Sequence, residues 1–185
     1  DAFILPVVNF NDYDVSHGRG GVVDAERHYV ESSKTKARVQ GDYDFFDYDI
    51  INEKVVFCGF FNKAWGHFLM EVVSRLGYAL KNDYTIDKYI FIVEEGVNRE
   101  FNGNYYEFLR LLGISDKVKI VNKPTRFKQV VVPEEGFVYN EYFTDEFYNM
   151  YQYINKKGLE EYNGEKYDKV FFSKRKCAIS LESNL

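Results

Sequence analysis

Apolar positions along the chain follow two periods. Continuous apolar runs of strand length occur at Phe3 to Val8, Lys54 to Phe60, Lys88 to Val93, Val118 to Val121 and Phe127 to Val132, the last ending at Pro133. Between them, residues 64–81 carry Phe68, Leu69, Val72, Val73, Leu76, Ala79 and Leu80 at the three-and-four spacing of a helix with a broad buried face. A second helix is predicted from Asn104 to Leu112, closed by Gly113 at the C′ position. Thr144 caps a third, from Asp145 to about Lys157, with Gly158 as its stop, and Lys169 to Ser173 reads as one more strand.

Continuously apolar strands alternating with helices predict an α/β fold with a Rossmann-like, largely parallel sheet and helices on both faces. An N-terminal β-rich segment, residues 1–52, is expected to pack on a main domain of residues 53–165, with residues 166–185 as the opening strand of a second domain. Within the first segment, His17-Gly18-Arg19-Gly20-Gly21 reads as a turn, because no helix follows the glycines to cradle a phosphate. Arg27 to Val39 reads as a hairpin and Asp42 to Asp49 as a solvated acidic loop.

Composition narrows the function. A length of 185 residues suits one domain or one domain and the start of another. The net charge of −5 argues against nucleic acid as a general partner, since a phosphate backbone demands a basic face. Cys58 and Cys177 are far apart and do not form a disulfide framework, which favours a reduced, cytoplasmic compartment. No run approaches the roughly 18 apolar residues of a membrane span, which leaves peripheral association with the inner face of a membrane open. The aromatic share of 18% offers stacking surfaces for sugars or bases, although the coding bias of an AT-rich genome accounts for most of it.

Three ionisable residues interrupt the first helix, His67, Glu71 and Arg75, at i, i+4 and i+8. In a regular α-helix each step of four drifts by only about 40°, so the three form one polar stripe. That is either a solvated helix surface, worth a few tenths of a kcal/mol per pair, or a site in which Glu71 is held between an imidazole and a guanidinium. Zinc is disfavoured, because the His-Glu-x-x-His pattern is missing. The Asp42-Tyr43-Asp44 and Asp47-Tyr48-Asp49 pairs lack the glycine and terminal glutamate of a calcium loop. His67 follows the strand that ends near Phe60 and so projects from the carboxyl edge of the sheet, where ligands of such folds lie.

The stretch Gly66-His67-Phe68-Leu69-Met70-Glu71-Val72-Val73-Ser74-Arg75-Leu76 resembles the Gly-His-(aromatic)-Leu-x-Glu-x-x-x-Arg helix of glycosyltransferase family 61. Phe108 to Ile114, Val130 to Pro133 and Val170 to Arg175 follow in the family's order, so the resemblance covers most of residues 20 to 175. It implies the N-terminal half of a GT-B architecture. It also implies inverting transfer from a nucleotide-sugar to a hydroxyl of a glycan acceptor, in capsular or cell-surface polysaccharide synthesis. No cofactor is expected beyond the nucleotide-sugar donor, and the sequence does not require a metal, since side chains can neutralise the donor diphosphate.

On that resemblance His67 and Glu71 are the catalytic candidates, Trp65, Gly66 and Arg75 orient or bind substrate, and Lys174 and Arg175 meet the donor phosphates. In the family an arginine directly follows the serine, where Lys174 stands here. The family's second domain extends beyond what residues 166–185 supply, so the chain alone is expected to be inactive. A non-catalytic glycan- or protein-binding module derived from the same fold is the alternative; a free-standing nucleotide-binding domain would need a Gly-x-Gly-x-x-Gly after a strand, which is missing.

Overall fold

The strongly apolar runs become strands of one sheet. The computed structural model describes residues 1–8, 18–35, 39–82 and 85–164. Strands β1 (Ala2–Val8), β2 (Arg19–Asp24), β3 (Asp49–Phe60), β4 (Lys88–Ile92), β5 (Val118–Val121) and β6 (Thr125–Val131) lie in the order β2-β1-β6-β3-β4-β5. The ladders β6-β3, β3-β4 and β4-β5 are parallel, and β1 is antiparallel to both β2 and β6. The fold is therefore mixed α/β with a mostly parallel sheet.

β3 begins earlier than its apolar run. Its first half, from Asp49, pairs with β6, and its second half, from Val55, pairs with β4. The expected boundary at residue 52 thus falls inside β3, and β1 and β2 extend the same sheet. The sheet is also strongly coiled. Although β6 and β3 separate β1 from β4, the Val7 amide donates to the Val93 carbonyl at 2.8 Å and the Glu95 amide donates to that of Val7 at 2.9 Å.

Helix α1 (Trp65–His67) leads into residues 68–72, which together with α2 (Leu76–Lys81), α3 (Gly103–Leu111) and α4 (Asp145–Glu161) pack on one face, against Val56, Cys58, Tyr89, Phe91 and Val93. This corrects the expectation of helices on both faces. Among the described residues the other face, with Ile4, Val55, Phe57, Ile90 and Phe127, meets no helix and is closed by Val30 and Val39 from the segment between β2 and β3. That segment is not the expected hairpin. It holds a 3-10 turn, Glu31–Ser33, and isolated bridges of Tyr29 to Val23 and of Val39 to Thr35.

The acidic loop of residues 42–49 is likewise less solvated than expected. Phe45 is buried against Phe3 at a ring separation of 5.2 Å, with Tyr48 edge-on to Phe3, while Asp44 and Phe46 face out. Tyr43, Phe45 and Tyr48 turn toward the protein, while Asp44, Phe46, Asp47 and Asp49 are left to water.

Helix ends follow local chemistry. Gly113, at φ 74°, donates to the Arg110 carbonyl while Ile114 donates to that of Leu109, the paired bonds of a Schellman stop. The Thr144 hydroxyl caps α4 by accepting the Phe147 amide, and α4 continues through Gly158 to Glu161. Glycine interrupts propensity at a cost of only about 1 kcal/mol, too little to end a helix of 17 residues.

Gly77 sets how closely α2 approaches α4. A Cβ there would lie 2.7 Å from the Glu146 carbonyl carbon and oxygen and 2.9 Å from the Phe147 nitrogen, all backbone atoms with no rotamer to yield. Gly77→Ala gains helix propensity of up to about 1 kcal/mol but overpacks this crossing. We expect a net loss of about 1–2 kcal/mol in urea unfolding; unchanged or raised stability would show that the two helices are free to separate.

Candidate functional site

The helix that follows β3 does not run as a regular α-helix. After α1 it forms a π-turn, Phe68–Val72, in which the Val73 amide reaches back to the Phe68 carbonyl at 3.2 Å rather than to that of Leu69. The freed Leu69 carbonyl accepts the Tyr151 hydroxyl from α4. A second irregular step at Val73 to Arg75 frees the Ser74 carbonyl, which accepts the Gly136 amide at 3.0 Å. Two carbonyls in the distorted stretch, those of Leu69 and Ser74, thus find partners outside the helix.

One extra residue in a turn rotates everything after it by about 100°. Arg75 leaves the expected stripe and turns under the helix toward the sheet. It is 1% exposed and heads the fully buried side chains by volume. Its guanidinium donates to the carbonyls of Pro133 and, at 2.9 Å, Lys34, and lies 3.4 Å from Glu135 Oε1 and 5.8 Å from the centre of the Phe57 ring. Gly59, at φ 101°, makes the bulge in the β3-β4 ladder at this point, and the guanidinium Nε would be 3.9 Å from a Cβ there. The ion-pair partner of Arg75 is thus Glu135 and not Glu71, which corrects the role expected for it.

His67 and Glu71 precede the phase shift and do meet. His67 Nδ1 and Glu71 Oε1 are 3.0 Å apart, with side chains 41% and 20% exposed. An ionised carboxylate only accepts, so with Glu71 ionised it is Nδ1–H that donates across this pair. Glu71 and Glu135 line one cavity of about 210 Å³ together with Thr35, Phe137, Val138, Tyr139 and Glu141. Phe137 and Val138 belong to β7 (Phe137–Val138), which with β8 (Tyr142–Phe143) forms a small hairpin.

The cavity opens beyond the carboxyl ends of β3 and β6. β4 and β5 are added on one side of β3 and β6 on the other, so this is the point where the strand order reverses and where ligands of open parallel sheets collect.

The remaining expected residues divide. Trp65 stacks on Phe68 at 5.5 Å and stays 40% exposed in the turn before His67. Gly66 is on the same turn, and a Cβ there would meet nothing within 4 Å, so the glycine leaves that surface open. Lys174 and Arg175 lie outside the described residues, as do Cys177 and the strand expected at residues 169–173.

Sequence reading missed Glu135, whose part depends on the π-turn; the only local signal was its position just after a strand ending in proline. Among the described residues, the one set of three metal-type ligands within 4.8 Å of one another is Asp24, Glu26 and His28, half-buried to exposed at the end of β2 and away from the cavity. The His28 amide, 2.8 Å from Asp24 Oδ1, holds that carboxyl below the usual range. No helix among the described residues is long and apolar enough to cross a membrane. No family model, curated protein or solved structure matches the chain.

Cys58 is buried in β3 beneath this site as a free thiol, and burial pushes its pKa well above the ordinary 9.0 against the opposing pull of Arg75. Burial raises Tyr43, Tyr89 and Tyr151 in the same direction from 10.0. Each group holds its proton longer when folded than when unfolded, so its contribution is complete below the unfolded value and is lost as pH rises through the folded one. Urea midpoints should therefore stay level up to the thiol's ordinary 9.0 and fall steadily above it, with Cys58 alkylated only on unfolding when read by peptide mass. Stability that holds flat well above 10.0, or alkylation of native Cys58, would contradict this burial.

Proposed function

We propose that this chain is the acceptor-side domain of an inverting glycosyltransferase of the family 61 type, Rossmann-like and forming the N-terminal half of a GT-B enzyme. Capsular or cell-surface polysaccharide synthesis at the cytoplasmic face is its proposed setting. The observation that carries the reading is the His67–Glu71 pair, 3.0 Å apart, at the carboxyl ends of β3 and β6 beside a cavity.

Inverting transfer needs one base on the acceptor side. His67 takes the acceptor hydroxyl proton at Nε2, while Glu71 holds Nδ1–H, fixes the tautomer and stabilises the imidazolium that forms. The deprotonated oxygen attacks the anomeric carbon of the donor from the face opposite the diphosphate, and the bond to the diphosphate breaks as the new glycosidic bond forms. Arg75 does not touch the reacting atoms in this scheme. It holds the loop of Pro133 to Glu135 against the helix and so shapes the cavity. Trp65 and Gly66 border the acceptor path. The leaving diphosphate gains charge, and Lys174 and Arg175 are the proposed cations for it.

The intact gene product, screened for nucleoside diphosphate release from UDP-, GDP- and CDP-linked sugars, tests the assignment. His67→Ala should lower kcat/KM by roughly 10²- to 10⁴-fold and Glu71→Gln by at least about tenfold, with far-UV circular dichroism unchanged. Wild-type rates in both variants would remove these residues from the mechanism.

A further inference from the structure

The two edges of the sheet are finished differently. Along β2 the backbone is covered by the segment that follows it: the Gly20 amide donates to the Gly41 carbonyl at 2.9 Å, the Gln40 amide to that of Gly18 at 3.0 Å and the Val30 amide to that of Val22 at 2.9 Å. Along β5, at the opposite edge, nothing among the described residues adds a further strand or bridge. The Tyr89 and Val93 amides donate to the carbonyls of Lys117 and Val121 at 2.9 and 3.2 Å. Backbone groups of a strand alternate sides, so Lys119 also turns toward β4, while the N–H and C=O groups of Val118 and Ile120 point away from the sheet. Such an unpaired row is a template for another strand, and proteins commonly blunt it as β2 is blunted.

Side chains beside this row are sorted by face. Val118 and Ile120 lie half-buried on the helix face, where they line a groove of about 380 Å³ with Phe101, Leu109 and the 47% exposed Tyr106. Glu100 is exposed in the same groove and disfavours an acid on that side. Lys117 and Lys119 project exposed from the other face, the one that buries Val121, and neither forms an ion pair among the described residues. A strand added here must therefore alternate, with apolar side chains toward the groove and acidic ones toward the lysines.

This pattern selects the occupant. Symmetric antiparallel pairing with a second copy, centred on Val118, Lys119 or Ile120, sets Lys117 opposite Lys119, Lys119 opposite itself or Lys117 opposite Lys123, and like charges directly opposite are destabilising. The chain's own residues 169–176 carry an apolar run with Lys169, Lys174, Arg175 and Lys176 and no acid. We propose that the β5 edge docks an extended segment of a partner protein in which apolar residues alternate with acidic ones, adding it as one more strand of the sheet. This interaction goes beyond the transferase reading and does not depend on it.

Fluorescence anisotropy of the full chain with a labelled Val-Glu-Val-Glu-Val peptide, a Val-Lys-Val-Lys-Val counterpart and a Ser-Glu-Ser-Glu-Ser peptide tests the pattern. The first should bind, with the other two weaker by about tenfold or more. Lys119→Glu should reverse the order of the acidic and cationic valine peptides, and Tyr106→Ala should weaken the first roughly fivefold. Lys128→Glu, exposed on β6 and three strands away, should leave that order as it is. Amide exchange read by NMR supplies the geometry: the bound peptide should slow Val118 and Ile120 by about tenfold or more and leave Lys119, which faces β4, unchanged.

The proposal is overturned if the Val-Glu peptide does not bind, if Lys119→Glu leaves the order of peptides unchanged, or if Val118 and Ile120 exchange as fast with peptide as without it. Slow exchange at both amides before any peptide is added overturns it as well, since the edge would then be occupied by a second copy or by the chain's own residues.

Discussion

The candidate site depends on one buried cation. Moving a guanidinium out of water costs several kcal/mol, and the cost is offset only where its donors are met with good geometry. For Arg75 the acceptors are the carbonyls of Lys34 and Pro133 and the Glu135 carboxylate, with the Phe57 ring nearby. These come from the segment before β3 and from the loop after β6. A single side chain thus ties two distant stretches of chain to its own helix at the carboxyl end of the parallel strands. Desolvation alone pulls the Arg75 pKa down, Glu135 opposes it, and the group stays charged because an arginine starts so far above neutrality.

The π-turn is what makes this arrangement possible. In a regular helix Arg75 would share a stripe with Glu71 and would neutralise it. With one residue more in the turn, the cation goes to Glu135 under the helix, and Glu71 meets His67 on the accessible side. The site therefore holds two carboxylates in different surroundings, one clamped by a permanent cation and one coupled to a titratable base. Distorted turns of this kind are stable only where the released carbonyls find partners, and Tyr151 and Gly136 supply them.

Much of the scaffold was legible in the residues. Continuous apolar runs marked β3, β4, β5 and β6, Gly113 marked the end of α3, and Thr144 marked the start of α4. The His67–Glu71 pair followed from i, i+4 spacing, because both lie before the phase change. Arg75 was misassigned for the same reason in reverse: a one-residue π insertion leaves no trace in apolar periodicity, since Val72, Val73 and Leu76 are buried either way. The single-sided helix layer was equally hidden. An apolar strand reads alike whether a helix or an irregular segment with Val30 and Val39 covers it. Tyr139 and Glu135 join the cavity through the hairpin and the clamp, both of which are tertiary.

The most direct test of this account is a double-mutant cycle on Arg75→Met and Glu135→Gln, read by urea unfolding. If the clamp is as described, Arg75→Met costs about 3–5 kcal/mol, because it takes the buried cation away from the partly buried Glu135 carboxylate and from two carbonyls. Coupling to Glu135→Gln should then be about 1–3 kcal/mol. A cost below about 1 kcal/mol with no coupling would mean that Arg75 does not hold the β6 loop, and the cavity beside His67 would lose its foundation.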